Sequence, residues 1–218
     1  MLTSSCAAAT PRSDAKQLTA DESTWTDADE PGLAAYRRSK VIAERAAWDF
    51  MATRSGPTEL VTVLPAAIFG PTLSVAALGS LEIIARMLDG RMPAVPRLAF
   101  EVVDVRDVAD AHVRALTTPE AAGQRFIAAG QLLWLTEIAE ILPDRLGPDA
   151  AKVPTRRMPD LAMRLGARFN TDLREVLPLL GRRLQHSSAH AEQVLGWRAR
   201  PAADTIEASA RSLIDLRR

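Results

Sequence analysis

Apolar residues change their spacing repeatedly along this chain, and each change predicts an element. From Leu33 to about Arg54, Leu33, Tyr36, Val41, Ala43, Ala47, Trp48 and Met51 recur at roughly helical spacing with charges between them, and Gly56-Pro57 ends the run. That pattern predicts one long amphipathic helix. Leu60-Val61-Thr62-Val63-Leu64 is a short apolar run stopped by Pro65, as expected for a buried parallel strand that follows a crossover helix. Gly70-Pro71 turns the chain, Leu78 to Leu88 reads as helix and Phe100 to Val103 as strand. Asp107 can then cap a helix running through Ala111 to Leu116. A further strand, Arg125 to Ala128, precedes Trp134-Leu135-Thr136, where Thr136 can cap a helix to about Leu146. Beyond Lys152, prolines at 154, 159, 178 and 201 separate short helices, the last from about Ala203 to Leu216. At the other end, Met1-Leu2-Thr3-Ser4-Ser5 reads as the close of a buried strand, and small and polar residues to about Glu30 as a long irregular loop. Alternating helix and strand followed by helices alone implies an α/β architecture with a helical C-terminal lobe.

Composition narrows the class. At 218 residues and 47% hydrophobic, with mean hydropathy near zero, the chain can bury a full domain core and is expected to be a soluble globular protein. No run approaches the length of a membrane-spanning helix, and Met1 to Ala20 lacks a basic start followed by an apolar stretch, so the expectation is no membrane association and a cytoplasmic location. The 27 basic and 27 acidic residues balance, which excludes the electrostatic footprint of a nucleic-acid binder. Cys6 has no second cysteine to pair with, and His112, His186 and His190 are scattered, so no metal site is expected.

The chemistry begins at Tyr36-Arg37-Arg38-Ser39-Lys40, where a phenol and an ammonium four residues apart fall on one helix face. A neighbouring cation favours the phenolate, so Lys40 would ready Tyr36 for proton transfer, with Tyr36 as general acid. The chain holds one tyrosine, and three lysines against 24 arginines, which makes this pairing an unusual choice of residues.

Tyr36-Arg37-Arg38-Ser39-Lys40-Val41-Ile42-Ala43-Glu44-Arg45-Ala46-Ala47-Trp48 closely resembles the Y-x-x-S-K-x-x-A-E-x-A-A-W helix of extended short-chain dehydrogenase/reductases, the NAD-dependent epimerase/dehydratase family. Leu64-Pro65-Ala66-Ala67-Ile68-Phe69-Gly70-Pro71, the Phe100 to His112 segment and the closing Leu195-Gly196-Trp197 element are also similar to that family. Asp21-Glu22-Ser23-Thr24-Trp25-Thr26-Asp27 resembles a loop of its dihydroflavonol 4-reductase and aldehyde reductase branch. The resemblance implies the C-terminal part of a doubly wound, Rossmann-like parallel sheet with a smaller, mostly helical substrate lobe. It implies a catalytic set of Ser5, Tyr36 and Lys40, with Ser4 the alternative to Ser5, in which the serine hydrogen-bonds the substrate oxygen. It places Tyr36, Lys40, Pro65, Ala66, Ala67, Ile68 and Ser80 at the cofactor, Ser80 being equally readable as a helix N-cap. His112 is read as a packed or surface histidine and Cys6 as a small buried residue.

The function so implied is NAD(P)H-dependent reduction of a ketone or aldehyde, with NADP favoured over NAD, a small carbonyl or alcohol as substrate, and no nucleic-acid or membrane partner. A homo-oligomer is compatible with it. The alternatives are an NAD-dependent nucleotide-sugar epimerase or dehydratase, and a non-enzymatic remnant. No G-x-x-G-x-x-G or G-x-G-x-x-G spacing occurs among the eleven glycines, so the dinucleotide-binding turn and the residues that choose between NAD and NADP have no counterpart in this chain. A truncated protein is therefore expected, with residues 1-130 as the remnant of the Rossmann-like domain and 131-218 as the helical substrate lobe, interleaved in space.

Overall fold

The computed structural model describes residues 1–12, 19–76, 78–169 and 171–217. Its elements in chain order are β1 (Leu2–Thr3), β2 (Thr19–Ala20), α1 (Ala35–Ala52), β3 (Thr62–Pro65), β4 (Ala67–Phe69), α2 (Leu81–Leu88), β5 (Ala99–Asp104), α3 (Val105–Thr117), β6 (Arg125–Ala128), β7 (Leu132–Trp134), α4 (Leu135–Leu146), α5 (Asp160–Gly166), α6 (Thr171–Val176), β8 (Gln185–His186), α7 (Ala189–Leu195) and α8 (Ala202–Asp215). The α/β class and the parallel strands expected from the sequence are present. Residues 13–18 of the expected irregular loop lie outside the described residues. The chain divides into two compact units, each assembled from three stretches of sequence.

The first unit comprises Met1–Ala66, Arg106–Gly130 and Leu184–Ala199. Its sheet has the order β1-β3-β6, all parallel, with Leu2 opposite Thr62 and Val63 opposite Phe126. β3 lies between its two neighbours and is buried along its whole length, which accounts for its unalternating apolar sequence. Pro65 ends this strand from within rather than stopping it from outside. At the last position, beyond the pairing with β1, no ladder hydrogen bond is lost through its missing N–H. α1 turns Val41 and Glu44 inward. The indole of Trp197, 1% exposed, donates to the carbonyl of Asp107 at 2.7 Å and ties the closing segment to α3. His190 stacks on Phe126 with ring centroids 5.0 Å apart.

The second unit comprises Ala67–Val105, Gln131–Arg183 and Arg200–Arg218. β5 pairs in parallel with β4 and antiparallel with β7. Behind them α2, α4 and α8 bury Ile84, Met87, Ile138, Leu142, Ile206 and Leu213 completely, and each such side chain contributes about 1.5–3 kcal/mol. Gly70 is required where β4 ends: its φ is 110°, and a Cβ there would stand 2.9 Å from a carboxylate oxygen of Asp104. Its N–H is held by the Ser209 hydroxyl at 2.7 Å.

Two caps differ from expectation. α3 begins at Val105, directly after β5, so Asp107 sits buried inside the first turn, where a carboxylate still favours the helix dipole. α4 begins at Leu135, and its leading N–H, that of Trp134, is satisfied by Glu137 at 2.7 Å while Thr136 lies within the helix.

Candidate active site

Ser5, Tyr36, Lys40, Pro65 and Ala66 all belong to the first unit. Ser5 follows β1 and N-caps the short turn Cys6–Ala8, accepting from the Ala7 N–H at 3.2 Å. That turn packs against α1. Ser5 is half-buried, and among the described residues its own proton has no acceptor. Ser4 is spent differently: buried at 6% exposure, it donates to Glu44 Oε2 at 2.5 Å.

Tyr36 lies in the first turn of α1 and is 61% exposed. Lys40 follows one turn later on the same face, with Nζ 5.8 Å from the centre of the phenol ring. Neither the phenolic oxygen nor the ammonium has a hydrogen-bond partner among the described residues. Two polar groups adjacent on one face and committed to nothing else are suited to hold a ribose hydroxyl and to pass a proton.

Why α1 presents that face is explained by a residue the sequence reading did not single out. Glu44, one turn beyond Lys40, is 1% exposed. Its carboxylate accepts from Ser4, from Thr62 Oγ1 at 3.0 Å and from Arg125 Nε at 2.8 Å. It thereby fastens α1 to all three strands or strand ends of the sheet. Arg125 in turn lies over the Trp25 ring at 3.7 Å and donates to the carbonyl oxygens of Glu22 and Thr24. The acidic and aromatic loop around Trp25 is thus clasped to β6, and Glu22 Oε1 accepts from the Ile127 N–H at 2.9 Å. A charged residue between the inward-facing Val41 and Trp48 was the available signal for Glu44.

Pro65 closes β3, and the Ala66 N–H is taken by the Ala128 carbonyl at 3.0 Å. Ala67 and Ile68 open β4 in the second unit, half-buried and paired with Val102 and Val103. Ser80, also in the second unit, occupies the N-cap position of α2 but makes no capping bond. Cys6 is buried, with Sγ donating to the Leu64 carbonyl at 3.2 Å. His112 joins Thr3 Oγ1 at 2.8 Å to the Val108 carbonyl at 2.7 Å, so both ring nitrogens are engaged in packing α3.

No protein-family model matches the chain. Among curated proteins, the ketoreductase azaE of Aspergillus niger is 39% identical over 148 residues, covering 63% of this chain and 43% of that protein. The NADPH-dependent methylglyoxal reductase GRE2 of Saccharomyces cerevisiae is 28% identical over 212 residues, covering 91% of this chain and 58% of that protein. Cinnamoyl-CoA reductase 2 of Arabidopsis thaliana is 35% identical, over 58% of this chain and 38% of its own length. The crystal structure of yeast Gre2 complexed with NADPH superposes with a TM-score of 0.76 at 25% identity, over 99% of this chain and 63% of that one. The chain therefore spans less than two thirds of the length of these relatives. It is homologous to that part of them, in keeping with the resemblance carried by the tyrosine helix.

Proposed function

Because these relatives are carbonyl reductases of the extended short-chain dehydrogenase/reductase family, we propose that this chain supplies the proton-transfer and substrate-orienting part of an NADPH-dependent reductase of ketones or aldehydes. The observation that carries the reading is the pairing of an uncommitted Tyr36 phenol with the Lys40 ammonium on the exposed face of α1. The residues present suit the nicotinamide end of such a cofactor: the Tyr36 phenol and the Lys40 ammonium have free polar atoms on one face of α1. When bound, NADPH supplies the hydride that reduces the carbonyl carbon. Tyr36 gives its phenolic proton to the carbonyl oxygen. Ser5 donates a hydrogen bond to the same oxygen and shares the charge developing there. Lys40 holds the ribose of the nicotinamide and steadies Tyr36 as it gives up its proton. Preference for NADPH over NADH follows the yeast relatives rather than any residue of this chain.

The test is to join the chain to a glycine-rich dinucleotide-binding half taken from a relative and to follow NADPH oxidation with a panel of aldehydes and ketones. Reduction is expected, with Tyr36→Phe lowering kcat by about 10²–10⁴-fold, the usual worth of a general acid. Lys40→Met should also reduce it strongly. Turnover unchanged by Tyr36→Phe would overturn the mechanism.

A further inference from the structure

The second unit contains a cavity of about 380 Å³ formed by its own residues alone, within the size range of small-ligand sites. Two of its lining segments are tied together by the backbone. Val95 accepts from the Met158 N–H at 2.8 Å and donates to the Arg156 carbonyl at 2.8 Å, so the segment before β5 and the segment before α5 are laced together on either side of Arg157.

Charge in the cavity is unevenly committed. Arg97 is neutralised by Asp160, with Nη2 to Oδ2 at 2.5 Å and Nε to Oδ1 at 3.3 Å. The guanidinium of Arg157 has no hydrogen bond or ion pair among the described residues. Neither the indole N–H of Trp134 nor the hydroxyl of Thr136, both on the wall, donates to any partner among them. Glu140, on an adjoining hollow that Arg157 also borders, forms no ion pair with it. The lining thus offers one unpaired cation, two further donors and an apolar surface of Val95, Trp134, Met158 and Pro159.

We propose that this cavity binds a small organic monoanion, a carboxylate on a flat apolar or aromatic body. The carboxylate pairs with Arg157, whose planar fork matches it in two hydrogen bonds, and the body lies against Trp134 and Met158. A neutral ligand leaves the guanidinium unanswered. A second negative charge meets the Asp160 carboxylate, which Arg97 already occupies, so dianions are disfavoured. The proposal does not depend on the reductase reading, because the cavity needs no cofactor and no residue of the first unit.

Calorimetric titration of the 218-residue chain with 2-naphthoate, 2-naphthalenemethanol and 2-naphthyl phosphate tests it without turnover. Saturable one-to-one binding of naphthoate is expected, with the neutral alcohol and the dianionic phosphate each about ten-fold weaker or more. Arg157→Leu should weaken naphthoate by about ten-fold and leave the alcohol unchanged. Arg157 is exposed, and a melting curve checks that the variant folds. Should it not, the ranking of the three probes on the unaltered chain decides alone. Absence of saturable binding, equal binding of acid and alcohol, or naphthoate affinity unmoved by Arg157→Leu would overturn the assignment.

Discussion

Glu44 receives hydrogen bonds from four side chains, Ser4, Trp48, Thr62 and Arg125, at 2.5, 3.4, 3.0 and 2.8 Å. A sealed carboxylate is tolerated only with such company, because an unpaired buried charge costs several kcal/mol. Its partner Arg125 is nearly as deeply placed, with a side chain 9% exposed. Removing one member of the pair strands the other. Glu44→Ala is therefore expected to lower stability by about 3–5 kcal/mol. Glu44→Gln, which keeps an acceptor for Ser4 and Thr62, should cost less. Urea unfolding followed by circular dichroism reads both, and a Glu44→Ala loss below about 1 kcal/mol, the scale of an exposed ion pair, would remove the network from its anchoring role. The same residue shows why the site was only partly legible. Tyr36 and Lys40 announce themselves by chemical rarity and spacing, whereas Glu44 looks, in sequence, like one more charge on an amphipathic helix. Its meaning depends on Thr62 and Arg125, which are distant in the chain.

At the scale of elements, β3, β5, β6 and α8 follow their periodicities closely, because each buries one long face or an unbroken run, whereas α1 forms where its pattern predicts but buries only Val41 and Glu44 and leaves Tyr36 and Ala43 exposed. β2, β4, β7 and β8 are two or three residues long and carry no periodicity to read. Thr136 was the natural cap by residue type, yet Glu137 reaches back to the Trp134 N–H, a choice made by where the chain leaves β7. α5 gives an element-scale prediction. It begins at Asp160, whose carboxyl is held below its ordinary range first by the hydrogen bond from Arg97 and then by that cation's charge. A depressed carboxyl pKa adds stability that is present above the unfolded value of 3.8 and is lost as pH falls through the folded one. Arg97→Gln should raise the Asp160 midpoint toward 3.8 in a carboxyl NMR titration. The stability difference between variant and parent should then shrink as Asp160 protonates; a midpoint unmoved by Arg97→Gln would show that the helix terminus, not the guanidinium, sets it.

For the whole molecule, what matters is which part of a dinucleotide these residues can hold. On the proposed reading, Tyr36 and Lys40 would hold the nicotinamide ribose and no more of the cofactor. Pyrophosphate binding in folds of this kind relies on a glycine-rich turn that brings backbone N–H groups and a helix N-terminus onto the phosphates. Glycines at 32, 56, 70, 79, 90, 123, 130, 147, 166, 181 and 196 are nowhere spaced for such a turn. The nearest pair, Gly123 and Gly130, flanks β6 rather than opening a helix. The glycine-rich receptor for the phosphates of NADPH therefore does not occur in this sequence. Calorimetric titration of the chain alone with NADPH is expected to show no saturation in the micromolar range, and mixing it with a glycine-rich half from a relative should restore binding. Micromolar affinity in the chain alone would mean that arginines elsewhere replace the turn. The first place to look would then be the first unit, whose exposed Arg38 lies two residues from Tyr36 on α1, and substituting it should abolish that affinity while leaving melting behaviour unchanged.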